Sequence, residues 1–215
     1  MENKPPKYVI TLLRHGESVG NAEARWQGQS DFPLNDRGRA QANALAARWK
    51  AEAEQFQWII SSPLTRARET AEIIGAALNI SVELDPLWLE RDIGEIEGMT
   101  AAELNQRYPQ PGFVTPFDSV GGDGEGDWEL FLRGGQALHS VLRRKPGCYL
   151  IVSHGGILNQ VMHAIVGITP HANYAGPRFR FGNTGFARLI YYPNQHRWAI
   201  DAVNDRAHWR EQDPY

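Results

Sequence analysis

The chain is nearly without cysteine: Cys148 is the only one among 215 residues. A disulfide framework and a thiolate metal site are thereby excluded, and a reducing compartment fits. Because Cys148 falls within an apolar run, it is expected to be a small core residue. An excess of positive charge is also missing. Lys and Arg number 22 against 25 Asp and Glu, a formal net charge of -3 with a pI near 6.2, which gives no basic field for nucleic acid. No apolar run approaches the ~20 residues that a membrane-spanning helix needs. Met1 to Lys7 is polar and proline-bearing, without the apolar centre of a leader. Repeats and low-complexity tracts are lacking too. These absences predict a single cytoplasmic domain over residues 1–215, with its seven N-terminal and about 10 C-terminal residues flexible. Neither membrane nor nucleic acid is expected as a partner, and a homodimer stays open.

What is present is an alternation of strand-like and helix-like stretches from Tyr8 onward. The clearest helices are Gly38 to Lys50, Thr65 to Leu78, Trp128 to Arg144 and Gly156 to Val166. Such alternation predicts an α/β fold, a three-layer sandwich whose mostly parallel central sheet carries helices on both faces. Phe186 to Tyr192 and Trp198 to Val203 flank Pro193 to Arg197 and predict a hairpin, which gives the sheet an antiparallel edge. The polar tail Asp205 to Tyr215 reads as partly disordered.

Chemistry is concentrated where predicted strands end. Arg14-His15-Gly16-Glu17-Ser18 follows the apolar run Tyr8 to Leu13, at the carboxyl end of a buried strand, where open α/β sheets bind ligands. An imidazole there serves as base, metal ligand or nucleophile. The Arg14 cation beside it argues against a metal and for an anion, with phosphate the best guess. Trp58 to Ser61 is a second strand, broken at Pro63, after which Arg66 lies in the first turn of a helix. Cys148 to Ser153 is the strongest buried strand pattern, and His154-Gly155-Gly156 behind it repeats the placement of His15. Leu87 to Leu89 leads into a Gly-punctuated loop that holds Glu90, Asp92, Glu95 and Glu97, a place for a carboxylic acid.

Taken together, Leu13-Arg14-His15-Gly16-Glu17, Asn21, Trp26-Gln27-Gly28 with Pro33-Leu34, Ser61-Ser62-Pro63-Leu64 with Arg66-Ala67, Glu90 with Gly94 and Glu97-Gly98, and Ser153-His154-Gly155-Gly156 resemble the histidine phosphatase superfamily, branch 1, also called phosphoglycerate-mutase-like. The ordered set spans residues 8 to about 190, where a lone Arg-His-Gly would say little. The resemblance implies a phosphoglycerate-mutase-like fold, with His15 as phosphoryl-accepting nucleophile and Arg14, Arg66 and His154 binding the phosphoryl group. Glu90 is implied as proton donor, with no cofactor and no metal. Asn21, Gln27, Gly28, Ser62 and Gly155 are implied on the substrate, although Gln27 and Ser62 also suit turn or capping chemistry.

Phosphoryl transfer asks for these residue types in its own right. Charge on the equatorial oxygens is stabilised by positioned cations. A neutral imidazole attacks through one nitrogen while the other is fixed by a hydrogen bond. The departing alkoxide needs a proton from a carboxylic acid, which as carboxylate then activates water. Arg66 has Arg68 as a rival, and Glu90 has Asp92, Glu95 and Glu97. Arg68 and Glu69 read as a solvated helix flank, and His139, His163, His171, His196 and His208 as structural. Asn105 to Asp127, rich in Pro and Gly, reads as a lid or pocket wall that sets specificity. Within it Glu125 matches the glutamate of a family Gly-Glu-Ser element whose serine is replaced by Gly126. Arg178 and Arg180, on a strand near Asn183-Thr184-Gly185, are candidates for an additional anion on the substrate.

These observations predict a metal-independent phosphomonoesterase that hydrolyses a small phosphorylated metabolite through a phosphohistidine. A cofactor-dependent phosphoglycerate mutase is the alternative, disfavoured by the Ile93 to Gly98 loop and by a chain shorter than typical mutases. A silent domain that only binds phosphorylated ligands is the third reading.

Overall fold

The computed structural model describes residues 6–108 and 112–209; Met1 to Pro5, Pro109, Pro111 and the tail beyond Trp209 lie outside that description. Strand β1 (Tyr8–Arg14) is apolar on both faces because both are covered. Ile10 and Leu12 point into one core layer with Tyr149 and Ile151, while Leu13 points into the other with Leu150 and Val152, the period-two alternation of a strand. After β1 come a short helix α1 (Val19–Ala22), helix α2 (Asp36–Ala51), β2 (Trp58–Ser61), α3 (Thr65–Leu78) and β3 (Val82–Leu84). Then follow α4 (Ala101–Arg107), α5 (Asp127–Leu142), β4 (Cys148–Ser153), α6 (Gly155–Val166) and the hairpin β5 (Phe186–Tyr192) and β6 (Arg197–Asp205).

The six strands form one sheet in the order β3-β2-β4-β1-β5-β6. The first four are mutually parallel, and β5 and β6 run antiparallel at one edge. Helices α2 and α3 cover one face through Leu45, Trp49, Ala71 and Ile74. The other face is covered by α5 and α6 through Leu138, Val141, Leu158, Val161 and Met162. The expected three-layer α/β architecture with an antiparallel edge is therefore the observed one.

Local chemistry explains the ends that matter. Asn35 caps α2 by accepting from Gly38 N at 2.8 Å, and Asn79, in the left-handed region at φ 59°, ends α3. From β1 the chain moves outward past the position of β4 to β2 and β3, then returns through β4, so the order reverses between β1 and β4. That switch point, at the carboxyl ends of the two strands, is where open α/β sheets form their crevice.

Two expectations need correction. Cys148 opens β4 and is half-buried rather than central in the core, because the strand starts there. Arg178 and Arg180 sit in an irregular stretch, exposed, and pair with no strand. The Gly121 to Gly126 stretch braces the neighbouring loop: Glu95 N donates to Gly121 O at 3.1 Å and Glu125 N to Asp92 O at 2.9 Å. At the far end, Arg206 to Trp209 pack on the body, with His208 Nε2 2.9 Å from Thr184 Oγ1. Among the described residues no helix is long and apolar enough to cross a membrane.

Candidate active site

Parallel pairing sets the two histidines side by side. Arg14 pairs with Ser153 in register, and His15 N donates to Ser153 O at 3.0 Å, so the next residues out, His15 and His154, meet with ring centroids 5.1 Å apart. Both rings are buried, at 3% and 0% exposure. His15 Nδ1 lies 2.7 Å from Gly16 O. A carbonyl only accepts, so Nδ1 carries the proton and the lone pair resides on Nε2. Burial, with Arg66 and Arg14 alongside, holds His15 well below its ordinary value of 6.5, against the pull of the Gly16 carbonyl. Burial first, then Arg66, His15 and Arg14, does the same to His154. His154 Nε2 is 2.8 Å from Ser62 Oγ, which places Ser62 at the edge of the second ring.

Arg66 is drawn inward by α3, whose N-terminus follows directly on Pro63. At 1% exposure it donates through Nη1 to Ser30 O at 2.9 Å and through Nη2 to Gly28 O at 2.7 Å. Desolvation lowers its pKa to about 10, opposed by Glu90, Asp31 and Glu97. Gly28 reaches this contact at φ +51°, and a Cβ there would sit 2.3 Å from Glu97 Oε1, so a side chain is sterically excluded. Arg68 instead lies on the outer flank of α3, 3.8 Å from Glu72, while Arg66 lines the cavity. Arg14 is held by Phe181 O, 2.8 Å from its Nη1.

Glu90 reaches the first turn of α6. Its Oε2 accepts from Gly156 N at 3.0 Å and its Oε1 from Ile157 N at 3.2 Å and Arg91 N at 2.9 Å, so it takes up backbone donors left open at a helix N-terminus. A Cβ on Gly156 would stand 2.4 Å from Glu90 Oε1, whereas one on Gly155 would come no nearer than 3.8 Å to Arg14. The rival acids are spent elsewhere. Asp92 accepts from Gly94 N, Glu95 from the Tyr108 hydroxyl, and Glu97 from Gln29 N and Ser30 Oγ.

Asn21 Oδ1 accepts from Ser18 N at 3.1 Å and Asn183 Nδ2 at 3.1 Å, which turns its own amide donor away from them. Gln27 Oε1 accepts from Ser18 Oγ at 2.7 Å. Arg14, His15, Asn21, Gln27, Gly28, Arg66, Glu90 and Gly156 line one cavity of about 310 Å³. A larger open space of about 1510 Å³ adjoins it, reached past Arg14, Arg91 and Gly155, with Phe113, Arg178 and Arg180 on its walls. Among the described residues no cluster of His, Cys, Asp or Glu could hold a metal ion.

Sequence reading alone missed Asn183, which ties the tip of β1 to Asn21, and Thr70, whose Oγ1 accepts from Gly16 N at 3.0 Å. Thr70 stands one helical turn after Arg66, a spacing that could have flagged it. Arg91, in contact with Asp127, also faces the cavity. Glu97 anchors the loop at Gln29 and Ser30.

A buried histidine between two guanidiniums, with a glutamate opposite, is an arrangement suited to binding and transferring a phosphoryl group. Comparison with known proteins gives the family. Residues 10–206 match the histidine phosphatase superfamily (branch 1). A protein of Escherichia fergusonii named probable phosphoglycerate mutase GpmB is 36% identical over 208 residues, 93% of this chain and 94% of that one. The structure of YhfR from Bacillus stearothermophilus superposes with a TM-score of 0.80 at 30% identity, over 93% of this chain and 98% of that one. A mycobacterial glucosyl-3-phosphoglycerate phosphatase, solved with VO3, gives 0.76 at 26% identity, over 93% and 99%. The chain belongs to the histidine phosphatase superfamily, branch 1, and to its histidine-type phosphatase class of enzymes.

Proposed function

We propose that this protein is a metal-independent phosphomonoesterase that hydrolyses a small phosphorylated metabolite in the cytoplasm through a phosphohistidine on His15. The observation that carries the reading is the Nδ1 to Gly16 O bond, which leaves the Nε2 lone pair of a neutral ring in a cavity shared with Arg14, Arg66 and Glu90. In the first step His15 Nε2 attacks phosphorus as the bond to the alkoxide oxygen breaks, and Glu90 delivers a proton to that oxygen. Arg14, Arg66 and His154 hold the equatorial oxygens and Asn21 assists, while Gln27 and Gly28 line the cavity, Gly155 borders the space beside it and Ser62 bonds His154. In the second step water attacks phosphorus, the P–N bond breaks, and Glu90 takes the water's proton. The neighbour solved with VO3 supports a site fitted to five-coordinate phosphorus.

A second reading, phosphoglycerate mutase, is favoured by the name of the Escherichia fergusonii relative. Hydrolysis is preferred because the large open space beside the phosphate cavity gives water a route to the phosphohistidine. The test is rapid quench of the enzyme with labelled substrate. An acid-labile, alkali-stable label is expected on His15, with activity surviving EDTA. Label on serine or aspartate, or activity that is abolished by chelation and restored by a divalent ion, overturns the reading.

A further inference from the structure

We propose that Arg133, gripped by Glu125, is a positioning residue that sets the proton donor for transfer to the leaving group; this rests on the role proposed above for Glu90. Arg133 lies on α5, outside the phosphate cavity. All five of its N–H donors are committed. Nε donates to Glu125 Oε1 at 2.7 Å and Nη2 to Glu125 Oε2 at 2.6 Å, a two-pronged pair. The remaining three go to consecutive turns of the acid-bearing loop: Nη1 to Leu87 O at 3.1 Å and Leu89 O at 2.7 Å, and Nη2 to Glu90 O at 3.0 Å.

Glu125 completes the grip on the far side of Glu90. Its Oε2 accepts from Asp92 N at 3.1 Å, and its own N donates to Asp92 O at 2.9 Å. The backbone is thus fixed at residues 87, 89, 90 and 92, on both sides of the one whose side chain reaches the cavity. A further bond joins this frame to the phosphate clamp, since Gln29 Nε2 also donates to Glu90 O at 3.1 Å, and Gln29 lies between Gly28 and Ser30, whose carbonyls hold Arg66. Both partners are largely enclosed, with side-chain exposures of 17% and 21%. A planar guanidinium is required, because an ammonium offers three donors from one point and cannot span three carbonyls and a carboxylate.

The consequence is specific to the proton-transfer half of the reaction. Arg133 bonds the backbone around Glu90 and makes no direct bond to His15, Arg14 or Arg66, so its loss is expected to act first on Glu90 and to reach Arg66 only through Gln29. Displacement of a reacting group by about 1 Å costs on the order of a hundredfold. Arg133→Met, Arg133→Lys, Glu125→Gln, Glu90→Gln and the double variant Glu90→Gln/Arg133→Met would be compared in single turnover on an alkyl phosphate and on p-nitrophenyl phosphate.

Arg133→Met is expected to slow His15 phosphorylation by the alkyl phosphate on the order of tenfold to hundredfold, and by p-nitrophenyl phosphate at most about threefold, because nitrophenolate departs without a proton. Arg133→Lys should recover little, and Glu125→Gln should show the same split more weakly. In the Glu90→Gln background Arg133→Met should add less than about threefold, since a group acting only through Glu90 has nothing left to position. Equal losses on both substrates, or additive losses in the double variant, overturn the proposal in favour of general loop support. If Arg133→Met is not recovered folded, Glu125→Gln carries the same expectation and the same refutation. If Glu90→Gln itself fails to discriminate between the substrates, the proton-donor reading falls first, a result distinct from failure at Arg133 alone.

Discussion

His15 and His154 confront each other from the tips of adjacent parallel strands, ring centroids 5.1 Å apart and planes at 58°. The two rings nonetheless differ. His15 has Nδ1 tied to a carbonyl, which frees Nε2, whereas His154 Nε2 is taken by Ser62 and its Nδ1 is buried with no hydrogen-bond partner among the described residues. His15→Ala should therefore abolish the phosphoenzyme, while His154→Ala should still form it, slowed on the order of a hundredfold. Quench-flow on both variants checks this, and trapping of phosphate on His154 in the His15 variant would contradict the assignment.

The choice between the arginines of α3 gives a second expectation. Arg66→Ala removes a buried cation and orphans the Gly28 and Ser30 carbonyls, so kcat/KM should fall by on the order of a hundredfold or more. Stability should fall by about 1 to 3 kcal/mol as well. Arg68→Ala, exposed and loosely paired with Glu72, should stay within about twofold, as weak surface pairs do. Steady-state kinetics and urea titration read both quantities, and equal damage from the two substitutions would refute the assignment. Vanadate should inhibit competitively and lose affinity in Arg66→Ala.

Substitution of the four loop carboxylates separates acid from anchor. Glu90→Gln should depress phosphorylation by alkyl phosphates by roughly a hundredfold or more and by p-nitrophenyl phosphate far less. Glu97→Gln should weaken both alike, since Glu97 holds Gln29 and Ser30 of the loop that binds Arg66. Asp92→Asn and Glu95→Gln should show no split between substrates. A split at any of these three would move the proton donor.

Much of this site was legible because the strands carrying it are buried on both faces and so read as unbroken apolar runs, whose ends are easy to place. Arg66 followed from Pro63, which fixes where α3 begins. Contacts joining distant segments left no local trace: Asn183 to Asn21 spans 162 residues, and Arg133 to Glu90 spans 43. Strand β3 escaped notice because it is a three-residue edge strand with two exposed positions, too short and too wet for a period to show. Arg178 and Arg180 alternate as strand residues do, but they belong to none of the six strands of the sheet, and alternation without a partner makes no sheet.

Acid should weaken the fold through its buried histidines. His15 and His154 are held well below 6.5, by burial first and then by Arg66. His208 is lowered to about 4 by burial and Arg48, opposed by Asp205. The unfolded chain takes up these protons near pH 6.5 while the folded one does not, so stability falls as pH drops below about 6.5. For His208 the loss is complete near pH 4. The lowered carboxylates Glu83, Glu103, Glu125 and Asp205 add their loss only as pH falls below their unfolded values near 4, leaving the interval from pH 6.5 to 5 to histidine. Urea midpoints should decline between pH 7.5 and 5, and less steeply in His208→Asn. A flat or rising midpoint over that interval would exclude the histidine contribution.

Hydrolase and mutase differ in the fate of the phosphohistidine. A mutase must keep water from it and return the phosphoryl group to a second oxygen of a bound molecule, whereas a phosphatase must let the first product leave and admit water. Here the cavity of about 310 Å³ opens into a far larger space. The wall formed by Gly121 to Gly126 is bonded to the acid loop and borders that larger space at Gly121 and Gly122, so water entry is the expected course. Incubation with 3-phosphoglycerate, primed with 2,3-bisphosphoglycerate, should give little 2-phosphoglycerate. Across a panel of phosphorylated metabolites, at least one should release phosphate with kcat in the range of roughly 1 to 1000 per second. In water enriched with oxygen-18, a single heavy oxygen should enter each phosphate released in a single turnover, because the water that attacks phosphorus supplies one oxygen. Mutase turnover far above phosphate release would overturn the hydrolase reading. Tight binding of phosphorylated ligands with no release from any of them would leave a recognition domain built on the same clamp.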